Sequence, residues 1–407
     1  MITFLNARLA AAEPAEGWLG SATPAEGWLG SATPIEGWLQ VDHGRITALG
    51  PGQPPSFSSS APGVGAAGAR GGEVIDATGR WLLPGFVDTH CHGGGGAALY
   101  SGNPDDVRQA ARAHLLHGTT TLIASVATMR LDRMLAAARA IAEAAVPTIH
   151  GIHFEGPFLS PRRRGAQTES ALLRPDERVF SQLIEAAGGL AISMTIAPEL
   201  PGAVELIERH PELTFAVGHT DDDGSHTRRA FDAGARTATH LFNAMPTMTH
   251  RDPGPVGVAL LDDRVACELI ADGTHLSPEA LTVATRTAGL DRSMLVTDAM
   301  AATGLGDGDY SYADRHVTVQ GGVAKLRGTD TLAGSVHFLS DALATVVRIL
   351  GLSVPQAAPL LAGNAARHYG WHDRGTLTIG RRADLVLLSE DDEVESVWLA
   401  GTRQPAN

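Results

Sequence analysis

Five residues of metal-ligand type and one acid stand at intervals along the middle of this chain, each where a short apolar run gives way to turn residues. They are His90 and His92 in GFVDTHCHGGGG, Glu155 in GIHFEGPF, His219 in FAVGHT, His240 in TATHLFNAM, and the acid Asp298 in MLVTDAM. Residues at the C-terminal ends of the strands of a (β/α)₈ barrel converge on one mouth. In that architecture six positions far apart in sequence form one site. Imidazoles and carboxylates gathered at one point are the donor set of a divalent cation, and an acid beside them points to metal-assisted hydrolysis.

Each residue has a plainer reading. In a strand, residues two apart share a face, so His90 and His92 point together while Cys91 points away. Parity therefore makes Cys91 a buried structural thiol rather than a ligand. Glycine permits close backbone approach, which gives the following GGGG a role beside a ligand. Glu155 alone would serve as a helix cap or a partner for Arg162, Arg163 or Arg164. His219 and His240 alone would be hydrogen-bonded strand-end residues, and Asp298 alone an N-cap. Their weight is joint. His150, His153, His226 and His250 keep the ordinary reading of satisfied polar residues. His275, in LIADGTHLSP, is a neutral hydrogen-bonding candidate, with Ser277-Pro278-Glu279 as a helix start behind it. Arg251 lies in the Pro/Gly-rich stretch MTHRDPGPVG, where an arginine is either a solvated charge or a clamp for phosphate or carboxylate.

The elements that must hold these residues are legible in the pattern. Asn103 as N-cap, Pro104 at the first helical position and acids at 105 and 106 open a helix that Gly118 ends. TTTLIASVAT, TIHGIHFEG, AISMTIAPE, LTFAVGHT, RTATHLF, VACELIADG and SMLVTDAM read as strands, with helical stretches such as LDRMLAAARAIAEA and PDERVFSQLIEAAGG between most of them. A strand–helix rhythm repeated about eight times favours a barrel over an open sheet. The two ends differ. ITFLNARL alternates as a half-buried strand, WLQVDHGRITALG reads as strand, His-Gly turn and strand, EVIDATGRWLLPG as another hairpin-like pair, and GTLTIGRRADLVLLSEDDEVESVWLAGT has the same character. The expected fold is α/β: a (β/α)₈ TIM-like barrel, 84–369, between the two parts, 1–83 and 370–407, of a small β-sandwich domain.

Insertions at 13–35 and 51–72 interrupt the first part. The unit AEGWLGSATP occurs at 15–24 and again at 25–34, with a partial copy EGWL at 36–39. Two copies are too few for a solenoid, and a surface connection tolerates duplication because loop length costs stability only logarithmically. PGQPPSFSSSAPGVGAAGARGG reads as a flexible surface loop.

Composition narrows the partners. The formal net charge is −14, and no Lys/Arg-rich run exists, which argues against nucleic acid or an anionic membrane. A small anionic substrate remains compatible, because one local arginine can oppose the global sign. Two cysteines make no disulfide framework. With no signal peptide or membrane span at the start, the expected location is the cytoplasm.

In order along the chain, DTHCHGGGG, HFEGPF, GHT, THLFNAMP with R-[DE]-P-G, IADGTH, LVTDAM and LAGS resemble the N-acetylglucosamine-6-phosphate deacetylases of the amidohydrolase superfamily, over roughly 36–50 and 73–400. The resemblance implies that Glu155, His219 and His240 hold a divalent metal, and that His90 and His92 add a second, giving one or two per subunit. Zn²⁺, Fe²⁺, Mn²⁺ and Co²⁺ suit these ligands alike. It implies Asp298 as general base and acid, and His275 at the scissile amide. Asn243 and Ala244 would meet the phosphate, Leu332, Ala333 and Gly334 would line the substrate, and Arg251 would reach the phosphate of a neighbouring subunit in a homodimer or larger assembly. Where the family often has His, this chain reads Gly165-Ala166-Gln167. Gln167 can hydrogen-bond a sugar hydroxyl but cannot titrate. The same pattern leaves open an N-acetylgalactosamine 6-phosphate deacetylase, another amide hydrolase of the superfamily, or a non-catalytic relative. Cyclic amidases usually bridge their metals through a carboxylated lysine, and Lys325, the one candidate, lies after the proposed base, which favours the deacetylase.

Overall fold

The computed structural model describes residues 1–10, 35–55 and 72–405. The duplicated unit, and most of the Pro/Gly/Ser-rich stretch, lie outside the described residues. Packing divides the chain into two compact units: Met1–Val87 with Leu115–Thr120 and Leu343–Asn407, and Asp88–His114 with Thr121–Ala342.

The first unit carries an eight-stranded sheet built from both ends of the chain. Ile2–Leu9 pairs antiparallel with Ile35–Asp42, which turns through His43-Gly44 into Arg45–Pro51. Both turn residues have positive φ, 46° and 74°, as a two-residue hairpin turn demands. On its other edge Ile2–Leu9 meets Glu73–Asp76 and Trp81–Pro84, both parallel to it. The stretch EVIDATGRWLLPG is therefore no hairpin-like pair. Asp76 accepts from Thr78 N and Oγ1 at 3.1 and 2.7 Å, and that local turn carries the chain onward to the next part of the same edge rather than back on itself. Leu385–Leu388 and Val394–Leu399 extend the sheet as an antiparallel pair. Phe4, Leu39, Leu82, Leu385 and Trp398 form its apolar core, with Phe4 and Trp398 edge to face at 4.9 Å.

The second unit carries most of the barrel. We number its strands β1 (Phe86–Cys91), β2 (Thr119–Val126), β3 (Ile149–Glu155), β4 (Ala191–Ile196), β5 (Thr214–Val217), β6 (Thr237–Ala238), β7 (Ala266–Ile270) and β8 (Ser293–Val296). They follow one another in chain order across a single sheet, with β2 through β8 paired parallel. A parallel bridge between Cys91 and Ala299 joins the two ends. There Asp298 N donates to His90 O, and His92 N to Ala299 O, both at 2.8 Å. Three of the helices begin at side-chain caps. Asn103 Oδ1 accepts from Asp105 N before Pro104–Leu116, Asp176 from Arg178 N and Val179 N before Glu177–Ala186, and Ser277 from Ala280 N before Pro278–Ala288. This is the (β/α)₈ barrel with a separate terminal sheet that the alternating pattern implies. A three-stranded antiparallel sheet, Gly308–Tyr312, Arg315–Gln320 and Val323–Leu326, is inserted after β8.

Candidate active site

The six residues meet at the C-terminal ends of the strands. His90 and His92 come from the end of β1, Glu155 is the last residue of β3, and His219, His240 and Asp298 each lie two residues beyond β5, β6 and β8. Three of them hold left-handed backbone, with φ of 46° at His219, 28° at His240 and 48° at Asp298. Such conformations are costly for residues with a Cβ and cluster where function imposes them.

Glu155 is the hub. Its Oε1 lies 3.0 Å from His219 Nε2, 3.1 Å from His240 Nε2 and 3.5 Å from His90 Nε2, and its Oε2 lies 3.2 Å from His92 Nε2. His90 and His92 face each other at 3.2 Å between their Nε2 atoms, as do His219 and His240 at 3.1 Å. The outer ring nitrogens explain why. His90 Nδ1 is 3.1 Å from Glu268 Oε2, His92 Nδ1 is 3.2 Å from Ser125 O, and His219 Nδ1 is 2.8 Å from Arg163 O. Those oxygens only accept, so each Nδ1 carries the proton and each Nε2 turns a lone pair inward. Lone pairs converging on a buried carboxylate repel unless a positive charge sits among them.

Protonation is one way to supply that charge. Burial pulls His90 down, but its hydrogen bonds to Glu155 and Glu268 outweigh burial and hold it well above the usual histidine range. His92 is likewise raised against burial, by Asp298 and Glu155. Burial pushes Glu155 up, yet its bonds to His219, His240, His90 and His92 hold it well below the usual carboxylate range. A divalent cation would meet the same demand. The residues fall into two overlapping sets, His90–His92–Glu155 and Glu155–His219–His240, so the donors fit one cation or two sharing Glu155.

Asp298 faces this group. Its Oδ1 is 3.2 Å from His92 Nε2 and 3.7 Å from His90 Nε2, buried and without a hydrogen-bond partner. Burial raises its pKa, but the close approach of the His92 ring and the charge of His90 bring it below the usual carboxylate value, so it stands ready to accept a proton.

Above lies a cavity of about 230 Å³ lined by Glu155, Gly165, Ala166, Gln167, His219, His240, Asn243, Ala244, His275, Asp298, Tyr312, Thr331, Leu332 and Gly334. Ala333, between two lining residues, is itself fully buried. His275 is held by Asp272, whose Oδ2 accepts from Nδ1 at 2.7 Å. Burial lowers the His275 pKa, and Asp272 overrides it and raises the ring above its ordinary value. Arg251 is not brought to this cavity; it sits exposed before the helix Gly254–Leu261. Arg162 and Arg163 pair with Asp221, and Arg164 with Glu169, so the arginines behind Glu155 have other partners.

The chain matches the amidohydrolase family model over residues 81–403. It is 37% identical over 324 residues to N-acetylglucosamine-6-phosphate deacetylase of Bacillus subtilis, spanning 77% of this chain and 82% of that protein. It is 34% identical over 327 residues to N-acetylgalactosamine-6-phosphate deacetylase of a Shewanella species, spanning 79% and 82%. Among solved structures it resembles a variant of the Mycobacterium smegmatis N-acetyl-D-glucosamine-6-phosphate deacetylase in complex with N-acetyl-D-glucosamine-6-phosphate. The TM-score is 0.87 at 34% identity, covering 99% of this chain and 98% of that one. The chain belongs to the amidohydrolase family.

Several residues that support the cluster carry weaker signals in the sequence. Glu268 backs His90; its signal was a lone acid inside the buried strand β7. Asp272 stands three residues before His275 in the motif IADGTH, close enough to have been paired with it. Tyr312 reaches the cavity from the inserted sheet, its OH 3.4 Å from Glu155 Oε2, and no barrel periodicity points there. Cys91 turns away as strand parity requires, its Sγ 3.2 Å from His114 Nε2. Burial pushes its thiol well above the ordinary range, which makes it inert. His153 bonds Ser193 Oγ and Thr195 Oγ1 at 2.9 and 3.0 Å, a satisfied core residue.

Proposed function

We propose that this chain hydrolyses the acetamide of N-acetyl-D-glucosamine 6-phosphate, giving D-glucosamine 6-phosphate and acetate. The observation that carries this is the set of imidazole Nε2 atoms gathered on Glu155 beside Asp298 Oδ1, which is buried and without a hydrogen-bond partner. The sugar is taken from the relatives.

Two divalent cations held by His90, His92, Glu155, His219 and His240 would polarise the acetamide carbonyl and acidify the attacking water. Asp298 Oδ1 accepts that water's proton as the carbon–oxygen bond forms, then delivers it to the departing amine nitrogen. His275 supplies a hydrogen bond at the carbonyl side. Its Nδ1 proton is committed to Asp272, so its Nε2 donates only while the ring is protonated, and the raised pKa favours that state. Asn243 and Ala244 receive the phosphate, far from the breaking bond, and Leu332, Ala333 and Gly334 flank the sugar. Fixing the remote phosphate orients the amide for attack.

Arg251 serves the phosphate of a second copy's substrate, in a homodimer with composite sites. Its exposed position on a Pro/Gly-rich loop suits that contact. Arg251→Ala should raise KM for the phosphorylated sugar and leave turnover of the unphosphorylated sugar nearly unchanged. In mixtures of Arg251→Ala and Asp298→Asn subunits, activity should partly recover on exchange. No recovery in proven mixed dimers would remove Arg251 from the neighbour's site. Both cysteines are free and buried, which suits a reducing compartment, and we place the reaction in the cytoplasm.

A second reading is favoured by two relatives at 34% and 31% identity, both N-acetylgalactosamine-6-phosphate deacetylases. The test is acetate release from the two phosphorylated epimers and from unphosphorylated N-acetylglucosamine. The glucosamine epimer should give the highest kcat/KM. Preference for the galacto epimer would move the assignment, and no acetate from any of them would remove it.

A further inference from the structure

Gln167 follows the Glu155 loop at a position expected to touch the sugar, but its amide is spent elsewhere. The side chain is 1% exposed. Its Oε1 accepts from Thr128 N at 2.8 Å, which fixes the orientation of the amide and turns Nε2 onto Glu155 Oε2, to which it donates a hydrogen bond. Thr128 Oγ1 in turn donates to Glu155 O at 2.6 Å. Glu155, Gln167 and Thr128 thus form a closed ring of hydrogen bonds. Gln167 Nε2 also lies 3.4 Å from Tyr312 OH, which is itself 3.4 Å from Glu155 Oε2.

The two oxygens of Glu155 have different neighbours. Oε1 lies nearest His219 and His240, at 3.0 and 3.1 Å, with His90 farther off at 3.5 Å, and Oε2 lies 3.2 Å from His92. A carboxylate oxygen has two lone pairs, so Oε2 can accept from Gln167 and still serve a cation. The bond from Gln167 opposes rotation of the carboxylate about its terminal torsion, a torsion that is otherwise soft. We propose that Gln167 is a positioning residue that holds Glu155 as a bridge, one oxygen to each half-site, and keeps it from closing both oxygens onto the His219–His240 half-site. This rests on reading the cluster as a cation centre and is independent of which sugar is cleaved.

The half-sites should then respond unequally to loss of the clamp. Gln167→Glu keeps the shape and sets a carboxylate against a carboxylate; Gln167→Ala removes the amide without adding charge. Apoprotein would be titrated with Zn²⁺ against a chromophoric chelator, with circular dichroism and Tm recorded on the same samples. Wild type should take up two equivalents. Both variants should keep one near wild-type affinity and bind the other about 10- to 100-fold more weakly, the range for loss of a ligand's supporting partner, with Gln167→Glu the more affected. A packing role would lower Tm and weaken both equivalents together, which would overturn the proposal. So would unchanged affinities with only a raised KM, which would leave Gln167 a sugar contact. Failure of wild type to bind any cation would instead sink the cation-centre reading, so the two failures are distinguishable.

Discussion

In the terminal sheet the buried interior is Phe4, Leu39, Leu82, Leu385 and Trp398; at the barrel mouth it is His90, His92, Glu155, His219, His240 and Asp298. The first group gains stability by leaving water and asks only for complementary shape. The second gains little by leaving water. Its members need one another, a shell of fixed acceptors and an added positive charge, and three of them sit in left-handed backbone. One region is what folding selects and the other is what folding must be made to tolerate. Substitutions in the sheet should therefore cost stability and spare chemistry, and substitutions at the mouth should do the reverse.

Asp298→Asn should give the largest effect. It keeps shape and removes proton acceptance, so kcat should fall by about 10²- to 10⁴-fold, the contribution of general acid–base catalysis. Metal content and Tm should stay close to wild type. Near-normal turnover with full metal would break the comparison at its centre. Phe4→Ala is the counterpart in the sheet. Emptying that fully buried site should cost about 3–5 kcal/mol in denaturant unfolding, with kcat per folded molecule unchanged.

His90→Asn sharpens the contrast within the mouth. It removes one donor of the His90–His92–Glu155 set and leaves the other set whole. Elemental analysis should fall from two equivalents to one. A single equivalent in metal-replete wild type, unchanged on adding metal, would contradict the two-cation reading.

Asp272→Asn tests the electrostatics. Asp272 raises the His275 pKa, so the donor on Nε2 is present below that pKa and lost as pH rises through it. Without the carboxylate, the alkaline limb of the kcat profile should move to lower pH. A limb that stays in place would assign it to another group.

How much of this was legible in the sequence follows from the same contrast. The strand–helix rhythm and the caps at Asn103, Asp176 and Ser277 are local signals, and the barrel follows them. That His90, His92, Glu155, His219, His240 and Asp298 would meet was legible because each stands at or just beyond a strand end, and strand ends in this architecture share one mouth. What stayed hidden depends on long-range contacts. Glu268 meets His90 across 178 residues of chain, and Tyr312 meets Glu155 across 157. The order of the sheet edge at 73–84 was misread because two short strands around a turn suggest a hairpin, while both in fact pair with Ile2–Leu9. The smallest expected effect concerns residues outside those described. Deleting 15–34 removes two complete copies of the repeat and rejoins Pro14 to Ile35. Tm and activity should stay near the parent's, and aggregation or lost activity would give the repeat a structural task.

The central claim, that hydrolysis resides in the cation centre built on Glu155, is tested most directly by stripping the protein with a chelator and titrating a divalent cation back while acetate release from N-acetyl-D-glucosamine 6-phosphate is followed. Activity should be absent in the apoprotein and rise with bound equivalents, and the same titration of Asp298→Asn should restore binding without turnover. Full activity in protein shown to be free of metal would contradict the account.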